Sequence, residues 1–469
     1  MPSTVPLSPI SAVRSALRRH IRGNLLTAQD AGYDAARHLW NGLSDPRPGA
    51  VVQCGTPSEV ATAVSAAHDA GVRVAVKSTG HSYAGHSVCE GGLVIDVSSM
   101  DGVRVDPEAR TLRVGPGARW GTVDAATQVH GLATTGATVS TVGVTGYTLG
   151  GGTGHLARAL GLGLDNLRSA DLVLASGERV RANADENADL FWALRGGSGN
   201  FGVVTSLELA LHPVGPEVLA GQIVYPIEAA PTVLRHWRDV MAEAPDGLNA
   251  YAFFLTVPPA APFPKAYHGT TALDLVVSYA GTVVEGRAAI DALRSEAAPM
   301  LDLVAPQAYV DLQQAFDAGM PGGLRWYSRA HYLAALPDAA IDTLVDHVHT
   351  LPGPHTVVYL EPLGGAIGRV SHEATAFAHR SAVHSLHVFP GWTDPAEDAH
   401  LGAWAREVHG AMAPYATGGV YVNLLGPDER DRVPAAYGDH YARLREIKRH
   451  YDPDNLFRSN HNIPPASAP

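Results

Sequence analysis

The chain has 469 residues, 46% of them hydrophobic and 17% charged, with a formal net charge of −12, which is the composition of a soluble globular protein. The acidic balance argues against nucleic acid or an anionic membrane surface as partner, and two cysteines, Cys54 and Cys89, are too few for a disulfide framework or a cysteine-based zinc site. The length suggests two domains with room to bury a large cofactor.

The first 26 residues contain no continuous apolar leader core, because Arg18 and Arg19 are followed by His20 and Arg22. No apolar run reaches transmembrane length, so a cytoplasmic protein is the expectation. Val13, Leu17, Ile21 and Leu25 have helical spacing and predict a helix over residues 11–26. A strand VVQC follows, then a helix capped by Ser58 and closed by Gly71. Alternation of Val72, Val74 and Val76 predicts a strand that runs into the loop KSTGHSYAGHS, residues 77–87. In that loop Gly80 and Gly85 permit positive φ, and Ser78, Thr79 and Ser82 with successive backbone N–H groups make a nest for a diphosphate. Lys77 would add a positive charge.

GGLVIDVSSM reads as a strand, and TLRVGPGARWGTVDAATQVHG as strand, turn and helix. Residues 134–167 then carry Gly143, Gly146, Gly150, Gly151, Gly152, Gly154, Gly161 and Gly163, too dense for a helix or a regular strand. The interleaved apolar and aromatic residues argue against disorder, so this segment needs a rigid ligand to lie against. It lacks the spacing of the dinucleotide fingerprint G-x-G-x-x-G. DLVLASGERVRA is strand, turn and strand; ADLFWALRGGSGNFGVVTSLELALHP is helix, glycine-rich turn and strand, ending near Pro213.

Beyond Pro213 the strands VLAGQIVYP, NAYAFFLTVP and ALDLVVSYAG alternate with helical runs, as expected for a sheet with helices on one face. Strand alternation puts Tyr359 and Glu361 on one face of TVVYLEPLGG, and Tyr421 and Asn423 on one face of GGVYVNLLG. Such pairs also suit an ordinary half-solvated strand. Tyr251, Arg325, Tyr327, Arg380 and His387 are further polar candidates. The 23 histidines offer no H-E-x-x-H or comparable metal pattern, and no metal is expected.

The loop KSTGHS, the segment VGVTGYTLGGGTGHLARALGLGLDNL and the segment DLFWALRGGSGNFGVVTS together resemble the FAD-linked oxidases of the vanillyl-alcohol-oxidase type, in particular the berberine-bridge-enzyme-like group. The resemblance implies a bacterial member with an α+β fold: a discontinuous PCMH-type FAD-binding domain, residues 1–212 and 425–469, and an α+β substrate domain, residues 213–424, with an antiparallel sheet covered by helices. The tail from YDPDNLF to NHNIPP would return to the flavin domain. It further implies a covalent bond from His81 to the 8α-methyl of the flavin. Bicovalent members carry a cysteine four residues before the glycine that matches Gly143; here that position is Val139, so a single link through His81 is expected, with no cysteinyl link.

By the same resemblance the cofactor is held by Lys77, Ser78, Thr79, Gly80, His81, Ser82, Tyr83, Val139, Ser140, Gly143, Gly146, Gly150, Gly152, Gly154 and Asn460. Gly202, Val203 and Val204 would lie along the adenosine, and Asp165 and Asn166 would fix a turn. The Tyr421-Val422-Asn423 motif would lie over the flavin. The following position, often aromatic in the family, is Leu424. Glu361 resembles the acidic residue of a favorskiiase-type flavoenzyme.

The expected function is an FAD-dependent oxidase that moves a hydride from a small organic substrate (alcohol, sugar, alkaloid or polyketide-type metabolite) to flavin, reoxidised by O2, in a monomer or homodimer. The alternatives are oxidative rearrangement or cyclisation in secondary metabolism, or a flavin-containing drug-binding protein. A tyrosine with pKa ~10 is a poor base at neutral pH, so either Tyr421 is activated or Glu361 takes the proton.

Overall fold

The strand that leads into the His81 loop, Val74–Lys77, pairs in parallel with Leu93–Asp96, which pairs in parallel with Ala50–Gln53. Parallel neighbours need a crossover, and the helix Pro57–Asp69 supplies it. Its cap is Thr56, whose hydroxyl accepts the Glu59 N–H at 3.3 Å, and not Ser58: Pro57 occupies the first helical position, where no N–H is needed. The computed structural model describes residues 9–467 apart from 19, 295 and 296. The first eight residues of the leader reading and Arg19 of the expected first helix therefore lie outside the described residues.

The first helix is shorter than its apolar spacing suggests. It spans Pro9–Leu17, and Leu25–Leu26 instead forms an edge strand on Ala50–Gln53. Gly23 lies so close to this sheet that a Cβ there would sit 1.8 Å from the Gln53 carbonyl oxygen, so the chain changes direction before Leu25. A second, antiparallel sheet orders Val103–Asp106, Thr111–Val114, Val203–Ala210, Leu167–Val173 and Arg179–Asn183. The core on this sheet takes in Leu444, Ile447 and Ile463 from the end of the chain.

The third sheet has eight strands, all paired antiparallel, with Thr271–Tyr279, Leu248–Thr256, Val357–Pro362 and His384–Phe389 adjacent at its centre. Alternation sorts its side chains. Leu248, Ala250, Ala252 and Phe254 enter a core with the helices Ala230–Glu243, Asp338–Val348 and Asp398–Met412, whereas Tyr251, Phe253 and Leu255 face the other way, into a cavity. The arrangement is α+β, with helices on one sheet face. No helix among the described residues is long and apolar enough to cross a membrane.

Two expectations of local structure are corrected. Val144–Gly150 is a short helix despite its glycines, because Val144 and Leu149 anchor it in the core around the second sheet. Tyr421 and Asn423 do not share a strand face: Val422–Leu424 is a single 3₁₀ turn.

Burial of histidine is expected to make the fold acid-labile. Burial drives His155 down to about 3, His331 and His384 to about 4 and His409 to about 3. Between those values and the ordinary 6.5 the unfolded chain binds more protons, so stability is complete above 6.5 and is lost as pH falls through this window. Asp124 and Asp274, raised by burial from 3.8 to about 7, act oppositely, but four larger or comparable shifts oppose two. Melting temperatures measured at pH 7, 5.5 and 4.5 should fall progressively, with a shallower fall in His384→Leu. A profile flat over that range would contradict neutral burial.

Candidate active site

The free face of the eight-stranded sheet and the loops around residues 78–83, 137–147, 198–204 and 457–461 enclose a cavity of about 1110 Å³. Its sheet wall is aromatic. Phe253 and Tyr359 line it and stack at 4.6 Å; His387, the next cross-strand neighbour, continues the row at 4.3 Å without lining the cavity.

Glu361 lies two residues from Tyr359 on the same strand and faces the same cavity, as their alternation predicts. It is 3% exposed; the Tyr251 hydroxyl donates to Oε1 at 3.3 Å, and His387 Nε2 lies 3.4 Å from Oε2. Burial pushes Tyr251 well above its ordinary value, and the Glu361 carboxylate adds to this, so the phenol serves as a donor.

Tyr421 reaches the cavity from its turn. Its hydroxyl accepts the Gly152 N–H at 2.8 Å and the Asn423 Nδ2–H at 3.0 Å, and Asn423 also donates to the Tyr147 carbonyl at 3.1 Å. Burial pushes Tyr421 up to about 12, against the opposing pull of those two donors. At neutral pH it is a phenol with both lone pairs engaged and its own proton free to donate.

On the opposite wall, His81 follows Gly80, whose φ of +77° turns the loop. The imidazole stacks on Trp40 at 4.9 Å, and Trp40 stacks on Trp326 at 5.5 Å. Burial, with a smaller contribution from Arg119, lowers His81 to about 4, so the ring is neutral and nucleophilic at pH 7. Trp40 carries no sequence signal, lying 41 positions upstream in an unremarkable segment. Gln222 was likewise missed, although alternation against Ile223 and Tyr225 could have pointed to it; its amide lines the cavity while donating to Asp274 at 2.7 Å.

Of the residues expected around a cofactor, Ser78, Thr79, Gly80, His81, Ser82, Tyr83, Val139, Gly143, Gly146, Val204 and Asn460 line this cavity. Five others do not. Lys77 turns away: its buried ammonium donates to the Ala36 carbonyl, and it borders a separate polar cavity of about 360 Å³ with Arg119. Ser140 is bound to Asp317 through both its N–H and its hydroxyl. Gly150, Gly152 and Gly154 act as spacers, because a Cβ would meet Asn423 Oδ1 at 2.1 Å, Tyr147 Cε1 at 2.6 Å and the Gly136 carbonyl oxygen at 1.9 Å respectively.

Arg325, Tyr327 and Arg380 are also outside it. Arg325 pairs with Asp398, Tyr327 donates to Asp428 at 2.8 Å, and Arg380 makes a bidentate pair with Asp165 at 2.7 Å. Neither cysteine lines the cavity; burial raises Cys54 to about 12 and Cys89 to about 11.

Residues 48–183 match the family model described as FAD binding domain, and residues 420–464 the one described as berberine and berberine like. An FAD-linked oxidoreductase of Dictyostelium discoideum is 31% identical over 410 residues, 87% of this chain and 86% of that protein. The (R)-6-hydroxynicotine oxidase of Paenarthrobacter nicotinovorans is 30% identical over 465 residues, 95% of this chain and 97% of that protein. The crystal structure of 6-hydroxy-D-nicotine oxidase from Arthrobacter nicotinovorans has a TM-score of 0.85 to this fold at 26% identity, covering 95% of this chain and 98% of that one.

The residues present fit FAD. The cavity exceeds what a drug-sized molecule fills, and at the end formed by the chain's tail a buried acceptor, Asn460 Oδ1, has no protein partner and suits a polar ligand.

Proposed function

This chain belongs to the FAD-linked oxidoreductases of the berberine-bridge-enzyme-like family, and from that premise we propose an oxidase that acts on a small ring-bearing organic substrate with an oxidisable C–H beside an OH or NH group, using O2 as the final acceptor. FAD supplies, when bound, the acceptor for the substrate's hydride and the centre that dioxygen reoxidises. Residues 1–212 and 425–469 are assigned to its binding, and 213–424 to the substrate.

The observation that carries this reading is the convergence of Glu361, Tyr421 and the His81 loop on one aromatic-walled cavity. Rings of the substrate lie against Phe253 and Tyr359. Glu361, held by Tyr251, removes the acidic proton, and the Tyr421 hydroxyl, fixed by Gly152 and Asn423, donates a hydrogen bond that orients the reacting group. His81, neutral and braced by Trp40, is assigned as the single covalent tether, with Val139 in place of a second.

The test is anaerobic mixing of the yellow holoenzyme with a panel of alcohols, sugars, alkaloids and polyketides. Bleaching of the flavin band, followed by hydrogen-peroxide release on readmitting air, supports the oxidase. Product without bleaching would replace it with a rearranging enzyme, and neither would leave a binding protein. For the tether, flavin should stay on the wild-type polypeptide after denaturation, mass spectrometry should find it on the peptide carrying His81, and His81→Ala should lose all covalent colour. Flavin mass on a peptide carrying Cys54 or Cys89 would sink the single-link assignment.

A further inference from the structure

Away from the cavity, the loop that follows the short helix Ala366–Arg369 meets the turn Gly438–His440 that precedes the helix Tyr441–Tyr451. Their meeting gathers His372, Glu373, Asp439 and His440, none of which lines the cavity. His372 Nε2 lies 3.0 Å from Asp439 Oδ2, His440 Nε2 lies 4.0 Å from Glu373 Oε2, and the two imidazole centroids are 4.3 Å apart. One ligand atom from each of His372, Glu373 and His440 falls within 4.8 Å of the others; among the described residues no other group of three or more His, Cys, Asp or Glu side chains comes as close.

His440 is the telling member. It is 5% exposed and packed edge-on against Trp192, and its ring has the Ala376 backbone as its one hydrogen-bond partner, which leaves a nitrogen over. A buried ring nitrogen without a partner loses its bond to water with nothing in return, so it calls for an explanation. Here it faces a second imidazole and a carboxylate.

We propose that His372, Glu373 and His440, with Asp439 as a fourth ligand or as the hydrogen-bond partner that orients His372, bind a divalent transition cation of the zinc type. Two neutral imidazoles and one or two carboxylates are the donor set of a borderline metal such as Zn²⁺, whereas Mg²⁺ and Ca²⁺ select oxygen alone. In a tetrahedral zinc site, metal–ligand bonds of about 2.0–2.2 Å set donor separations of about 3.4 Å, so closing the site needs movement of about 1–1.5 Å. The Glu373 and Asp439 side chains, 75% and 72% exposed, are free to make it. No compact motif announced the site, because its ligands come from two segments 67 residues apart.

The cation would act as a clamp. The 371–375 loop is already tied to the helix Ala188–Leu194 and the residue after it, since Trp192 Nε1 and Arg195 Nη2 donate to the Glu373 and Ala374 carbonyls at 2.9 Å. Bridging that loop to His440 would fasten the last helix of the chain to the same unit.

The experiment is isothermal titration of EDTA-stripped, flavin-loaded enzyme with ZnCl2, together with zinc K-edge absorption. One site per chain is expected, with imidazole scattering from two histidines, and His372→Ala should weaken binding at least tenfold. Because His372 is 38% exposed, this variant should fold even if the buried His440→Ala does not. Glu373→Gln should weaken binding by less, and turnover should be unchanged in both. Zinc binding of equal affinity and stoichiometry in wild type and His372→Ala, or no binding at all, would overturn the proposal.

Discussion

Replacing Glu361 with Gln is expected to slow single-turnover flavin reduction by about 10²- to 10⁴-fold, the usual cost of losing a general base. The amide keeps the shape and can still accept from Tyr251, so packing survives and only the proton acceptor is removed. Tyr421→Phe should cost less: with Tyr421 pushed up to about 12, tyrosinate is scarce at neutral pH and the variant loses an orienting hydrogen bond instead of a base. The two variants should also differ in form. Glu361→Gln lowers the rate at every substrate concentration, whereas Tyr421→Phe acts partly through substrate affinity. Stopped-flow reduction at several pH values separates them. If Glu361→Gln retains the wild-type rate throughout, the acceptor lies elsewhere, with His387 or in the substrate itself.

The second large effect concerns stability. Lys448 and Asp452 form an ion pair at 2.6 Å in which both side chains are 0% exposed. Lys448 also donates to the carbonyls of Asn200 at 2.7 Å and Phe457 at 3.0 Å, and Asp452 accepts the N–H groups of Leu456 and Phe457. Every charge-bearing atom is thus engaged, and Lys448→Met strands a buried carboxylate and two carbonyls, at a cost of about 3–5 kcal/mol. The loss should appear as a lower urea midpoint. The double variant Lys448→Met/Asp452→Leu should recover part of it, because no unpaired charge remains. A single-variant cost under about 1 kcal/mol would mean that water reaches the pair. Since Ser459, Asn460 and His461 follow directly and line the cavity, Lys448→Met should also loosen the pocket around the flavin, read as a shift in the flavin absorption band.

What the sequence determined by itself was local. Runs of glycine among apolar residues are legible because backbone conformation is set by near neighbours, and the His81 loop, the 134–167 segment and the 188–212 segment were found that way. Period-2 alternation correctly placed Tyr359 with Glu361, since side chains of a strand must alternate. The same rule misplaced Tyr421 with Asn423, whose turn is decided by bonds to Gly152 and Tyr147, 269 and 276 positions away. Only the tertiary structure turned Lys77 from the cavity, because a buried ammonium must find an acceptor and the Ala36 carbonyl was the one at hand. It alone brought Trp40 onto His81, Gln222 onto Asp274, and His440 onto His372. Alternation and helical spacing report which residues share a face; what covers that face depends on contacts between distant segments, and burial then decides which groups stay neutral, which pair, and which are left to bind something else.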